Sequence, residues 1–271
     1  MKRYIDFYLA SMRISILQQF QYRVANYFYM IGMVAEPVIY LVVWSTIADQ
    51  QGGSVGGYTP GTFAAYYIVW TLVRNMNIVF TPYGWEWRIR EGNLSMELMR
   101  PMHPIHNDVA YFSGWKFVVI ILWLPLALFL SWVFKPTFDI TWMEGIAFFV
   151  AIWGAYLIRT MLLSLLGMIT FWTTRVSAIF ELYFGFELIL SGRLVPMTLM
   201  PQWVQNLSNY LPFKWTFFFP IETLVGSMTT QELWVGIGMQ ILWIVIGASL
   251  LNLVWRAAIK QYSAAWASRR E

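Results

Sequence analysis

Five ionisable residues sit where a chain this apolar has little room for them. Glu36, Arg74, Arg159 and Glu187 fall near the middle of otherwise apolar stretches, and Glu181 lies in the same stretch as Glu187. A charge at the centre of a bilayer costs roughly 2.5–3.5 kcal/mol on insertion scales, so such residues pair with one another or line a polar path. Two acids and two bases at similar depth are the chemistry of interhelical ion pairs. Whether they tie a bundle together or face a cargo is left open by the residues, and so is who pairs with whom. The other candidate cluster is His103, His106 and Asp108, three potential metal ligands within six residues. Pro104 separates the two histidines in a basic loop, which favours a plain loop over a metal site.

No catalytic constellation accompanies these groups. A Gly-x-x-x-x-Gly-Lys-Ser/Thr phosphate loop is missing, so the chain is not expected to bind and split ATP itself. Gly-x-Ser-x-Gly and His-Glu-x-x-His are missing as well. The 271 residues contain no Cys, which removes disulfides and thiolate metal sites. Lys2 and Arg3 are followed by Tyr4, Ile5 and Asp6 instead of an apolar run, so no cleaved signal peptide is expected.

The elements that must position the charges are membrane helices. Hydrophobic residues make up 59% and charged residues 12%, against roughly 45–50% and 25% in soluble domains. A helix crosses the hydrocarbon core with about 20 apolar residues. Six stretches qualify, at 27–48, 62–81, 114–134, 142–172, 177–195 and 235–256. Lipid offers no partners for backbone groups, which leaves helices or a closed barrel. The alternation a barrel needs is missing. The expected fold is therefore an all-α polytopic membrane protein with six transmembrane helices, organised as one domain over 1–271. The 16 Trp and 15 Tyr suit headgroup-level belts. Thirteen of the 18 Lys and Arg fall on one set of loops and termini, Lys116 included, and three, Lys135, Arg193 and Lys214, on the other. The positive-inside rule then puts both termini in the cytoplasm of an inner-membrane protein, and explains the pI near 9.2 without nucleic acid.

Three segments flank the spans. Residues 4–23 carry Ile5, Leu9, Met12, Ile16 and Phe20 at steps of three and four, which predicts an amphipathic helix in the membrane interface. Residues 82–113 form the longest loop on the basic side. Asn93 is placed to cap a short helix over 94–99, with Leu94 and Leu98 on one face and Arg90, Glu91 and Arg100 nearby. Pro101 and Pro104 stop it. This element suits docking to another protein, and a solvated connecting loop fits equally well. Residues 196–227 are apolar but broken by Pro196, Pro201, Pro212 and Pro220. Two short re-entrant or interfacial helices are predicted there, beginning near Pro201 and Pro220.

Two of these segments carry a family likeness. Residues 89–101, IREGNLSMELMRP, resemble the cytoplasmic loop of ABC-2 type exporter permeases, and 191–215, SGRLVPMTLMPQWVQNLSNYLPFKW, resemble the signature around their fifth span. The resemblance covers nearly the whole chain. It implies a permease that forms a translocation path with a second permease, expected to be a different but related chain. Two separate ATPase subunits, which hold the ATP and Mg, would complete the complex. It implies that Arg90, Glu91, Gly92, Asn93, Leu94, Leu98, Arg100 and Pro101 form the main contact with the ATPase, with Thr174 and Arg175 a lesser one. Pro196, Pro201 and Pro212 would shape an outer gate. The charges Glu36, Arg74, Arg159, Glu181, Glu187 and Arg193 are candidates from the residues themselves to line or gate the path, and Arg74 and Arg159 depart from the family, whose spans are usually apolar. The competing reading is an ion-coupled secondary transporter using Glu36 and Glu187. A lipid-directed membrane enzyme would need a polar catalytic cluster that the sequence does not offer.

Overall fold

Proline and small polar residues start most of the helices, and apolar length carries them on. A computed structural model describes residues 2–173, 176–225 and 228–267. The elements run in order: α1 (Lys2–Gln21), α2 (Arg23–Gln50), α3 (Pro60–Met76), α4 (Pro82–Arg90), α5 (Leu94–Leu98), α6 (Pro104–Phe134), α7 (Trp142–Met168), α8 (Ser177–Leu190), α9 (Gln202–Tyr210), α10 (Pro212–Thr216), α11 (Phe218–Val225) and α12 (Thr230–Ala267). Among the described residues no strand forms beyond one isolated bridge, Val55–Tyr58. Thr59 and Thr141 close capping boxes on α3 and α7, and Pro60 and Pro82 occupy first turns, where a missing N–H costs nothing.

Four helices, α2, α6, α7 and α12, are long and apolar enough to cross a membrane. They correspond to the first, third, fourth and sixth predicted spans. The other two predictions differ in length. α3 has 17 residues and stops at Met76, five short of the expected end. α8 has 14 and stops at Leu190, where Ser191 and Gly192 turn the chain. Gly192 has φ +80, and a Cβ there would lie 2.9 Å from Phe218 Cβ, so both backbone and packing call for glycine.

Short as it is, α3 is the centre of the molecule. Phe63, Tyr66, Tyr67, Trp70 and Val73 are all buried in the largest apolar cluster, which α2, α6, α7 and α11 surround. Its tyrosines also reach polar partners: Tyr66 donates to Gly192 O at 2.7 Å and Tyr67 to Leu194 O at 3.2 Å. Backbone bonds freed by the turn after α8 are thereby satisfied.

The amphipathic helix forms, but its expected stripe is split. α1 packs along α6 through Tyr8, Met12, Ser15 and Gln19. Ser15 is fully buried, and at Gly114 a Cβ would come within 2.5 Å of Met12 O. Small residues let the two backbones approach, as they do in membrane helix pairs. Met12 and Ile16 are half-buried there, whereas Ile5, Leu9 and Phe20 stay exposed together with Tyr4, Ile14 and Leu17. Apolar side chains thus cover the outer side of a helix whose inner side is partly polar.

The proline-broken segment holds three helices where two were expected. α9 begins right after Pro201, as predicted. The next begins at Pro212, and Pro220 lies within the first turn of α11. α11 is packed inside the protein: Phe218, Phe219, Ile221, Glu222 and Thr223 are buried against α3 and α7.

Candidate functional site

The intramembrane charges meet in one ladder. Arg74, in the last turn of α3, is paired with Glu36 of α2. Arg159 of α7 grips Glu187 of α8 from two nitrogens, Nε at 2.9 Å and Nη2 at 2.8 Å. Arg193, just past Gly192, lies between the two acids, 3.5 Å from Glu187 and 3.9 Å from Glu36. The order is Arg74, Glu36, Arg193, Glu187, Arg159. Aromatic rings face the cations: Trp70 lies under Arg74 and Arg193, and Phe217 under Arg193 and Arg159. The ladder is sealed at one end and open at the other, with the Glu187 side chain 1% exposed and that of Glu36 32%. Glu181 is not part of it. It is exposed and accepts a hydrogen bond from Tyr83 of α4 at 2.6 Å, a second tie on α8.

The stop in α3 has a physical cause next to this ladder. Beyond Met76 the chain runs without helix through 77–81. Its carbonyls are taken by cations instead: Arg159 Nη1 donates to Asn77 O at 2.7 Å, and Lys116 Nζ donates to Ile78 O. The Asn77 side chain donates to Thr216 O at 2.6 Å. Irregular backbone is tolerated at membrane depth only when protein shields it in this way. Lys116 was expected among the loop charges. It is fully buried against Phe112, Trp115 and Tyr156.

The predicted docking segment is clamped from beneath. Arg88 makes two bonds to Asp108, 3.0 and 2.7 Å, and its Nε lies 3.2 Å from Glu97. Its guanidinium also stacks over Phe80 and Trp85. Trp85 is buried with Nε1 on Ser164 Oγ at 3.2 Å. Burial raises the Glu97 carboxyl above its ordinary range, opposed by Arg88. Leu94 departs from expectation. It is fully buried with Trp85, Met168, Phe171 and Leu251, so it anchors the segment and is closed to any partner. Asn93 occupies the cap position but its side chain makes no capping bond, and Ser95 Oγ bonds Gly92 O instead. Gly92 takes φ +76 to make the turn. The outward face carries Met96, Leu98 and Met99, the last 81% exposed, with Glu91, Arg100 and Pro101 also exposed. Arg90 pairs with Glu86 at 3.0 Å. Thr174 and Arg175 lie outside the described residues.

His103, His106 and Asp108 do not converge. His103 caps α6 by accepting from Ile105 N and packs on Trp255, ring centres 4.1 Å apart. Burial, with repulsion from His106 second, holds it down at about 4. His106 meets Tyr8 Oη at 2.7 Å, and Asp108 is taken by Arg88. Among the described residues no group of three such side chains is arranged to hold a metal. At the far end of the bundle Pro196 and Pro212 are buried and Pro201 is exposed. A buried acid that sequence reasoning passed over, Glu222, accepts a 2.5 Å bond from Tyr58 of the α2–α3 loop. Its signal was available: an acid inside the apolar run after Pro220.

Residues 34–265 match the family described as ABC-2 family transporter protein. The chain belongs to this family. Its proteins are membrane transport components that work with ABC ATPase subunits and carry no ATPase domain of their own. This ABC-2 protein is accordingly a multi-pass membrane permease of an ABC transporter. No curated protein matched it.

Proposed function

We propose that the chain is the membrane subunit of an ATP-driven exporter, paired with a second permease and driven by two separate ATPase subunits that hold ATP and Mg. α3, extended by 77–81, and α8, extended by 191–195, complete six crossings with both termini in the cytoplasm of an inner membrane. α1 rests in the cytoplasmic interface with Tyr4, Ile5, Leu9 and Leu17 toward lipid.

The observation that carries the reading is the α4–α5 unit. Arg88 and Leu94 fix it rigidly to the bases of α6 and α7, while Met96, Leu98 and Met99 are exposed on its outward face. A flexible apolar knob on a rigid mount is suited to seat in a cleft of a partner and to carry its motion inward. From Arg88 that motion reaches 77–81, which is joined through Arg159 to Glu187 and the ladder. The secondary-transporter alternative is disfavoured because Glu36 and Glu187 each rest against an arginine that already serves as the counter-charge.

Purification of the chain with its native neighbours tests this. A P-loop ATPase is expected in stoichiometric amount, and Met99→Glu is expected to abolish its capture while the chain still folds. Recovery of the chain alone, with transport in proteoliposomes driven by an ion gradient, would overturn the proposal.

A further inference from the structure

The ladder holds three guanidiniums against two carboxylates, one positive charge in excess. The excess is concentrated on one residue. Arg159 spends its donors on Glu187 and Asn77 O, and Arg74 is bonded to Glu36. Arg193 makes no hydrogen bond among the described residues. Its two acids stand at 3.5 and 3.9 Å, and its Nε is buried without a partner. A guanidinium has five N–H donors, and leaving the one on Nε unmade away from water is costly. The groups beside it are in the same condition. Trp70 Nε1, on the ring that Arg74 and Arg193 share, and Ser191 Oγ, two residues before Arg193, are buried without partners. Donors outnumber acceptors here.

We infer that this cluster receives an anionic oxygen group of the cargo, a phosphate or carboxylate, which takes the place of Glu36 between Arg74 and Arg193. The inference rests on the transport reading above, since it assigns the charge of what is carried. Glu36 is the acid that can yield. Its side chain is 32% exposed against 1% for Glu187, and Tyr40 Oη, one turn along α2, is 3.3 Å away to keep it satisfied as it swings out. With Glu36 turned out, three guanidiniums face Glu187 alone, so a singly charged anion restores the resting balance of one positive charge and a doubly charged phosphate neutralises the cluster. Guanidiniums bind such groups with paired N–H bonds. The approach is apolar: Ile39 and Val43 on α2 and Phe186 and Ile189 on α8 are exposed around the open side. An anion carried on an amphiphile suits that entrance.

The full chain in phosphatidylcholine nanodiscs, titrated with phosphatidic acid and separately with inorganic phosphate, tests the assignment without any ATPase. Selective binding of phosphatidic acid over added phosphatidylcholine is expected. It should weaken about tenfold in Arg193→Gln, survive in Arg193→Lys, and tighten by a factor on the order of 10 in Glu36→Gln, where the competing acid is gone. Response to phosphatidic acid alone assigns an amphiphile, and response to inorganic phosphate assigns a small soluble anion. Both keep the site. Should Arg193→Gln fail to fold, the opposite shift in Glu36→Gln still decides. Binding unchanged in both Gln variants, or no response to either phosphatidic acid or inorganic phosphate, overturns the inference. ATPase capture is measured separately, so loss of the transport reading would leave this result standing on its own.

Discussion

Arg88 and Arg193 are near twins in their surroundings and opposites in their bonding. Each is largely buried, each faces two carboxylates, and each lies over two aromatic rings. Arg88 meets its acids at 2.7, 3.0 and 3.2 Å, in a paired geometry with Asp108. Arg193 meets its acids at 3.5 and 3.9 Å with a nitrogen left over. Burial and composition alone do not separate a clamp from a receptor; the count of satisfied donors does. The clamp holds the segment proposed to face a partner, and the under-bonded cation is the one inferred to receive a charge.

Substitutions sharpen that difference. The largest effect is expected for Arg88→Gln, which strands Asp108 in the interior at about 3–5 kcal/mol. Unfolding in mild detergent measures it, and adding Asp108→Asn should recover much of the loss if the two act as a unit. Arg159→Gln comes next, near 3 kcal/mol, because Glu187 keeps only the distant Arg193 and Asn77 O loses its donor. Arg193→Gln should cost less than about 1 kcal/mol, having no good bond to lose. A loss as large as that of Arg88→Gln would break the comparison. A pH slope is expected as well. His103 ordinarily titrates near 6.5 and in the fold near 4, so the unfolded chain gains a proton first. Stability is therefore independent of this group above 6.5, falls as pH drops from 6.5 toward 4, and levels below. His103→Gln should flatten that limb in an unfolding series across pH.

The sequence was most legible where apolar length decides the outcome. α2, α6, α7 and α12 are long runs that lipid burial forces into helix, and each covers the bulk of its expected span, although α6 starts at Pro104, well before the expected 114, and α12 continues to Ala267, well past the expected 256. It was least legible where a helix stops because of something distant. Ile78, Val79 and Phe80 continue the apolar run of α3 as far as Pro82, and Asn77 alone is a weak mark for an end at Met76. The end depends on Arg159 and Lys116, 82 and 38 residues away from the carbonyls they bond. The break after α8 was nearer the surface of the sequence, since Gly192 is a natural terminator. Periodicity placed Leu94 and Leu98 together, but a five-residue helix has too few turns to say which side faces in. The ladder was legible as residue types and not as partners, because pairing across helices leaves no spacing signal. Asp108 shows the converse: beside two histidines it suggested a ligand, and its real partner is an arginine 20 residues earlier.

The close seat between Met12 and Gly114 also has a meaning in time. A ribosome adds about 5–20 residues per second, so α1 is finished roughly 5–20 seconds before Gly114 exists to receive it. During that interval α1 has no groove to occupy. With α1 in the interface as proposed, its outward row of Tyr4, Ile5, Leu9 and Leu17 would give it a resting place on the bilayer surface while the rest of the chain is inserted. The helix would then close late in biogenesis, and replacing Gly114 with a larger residue is expected to leave membrane insertion intact while α1 stays open to added protease.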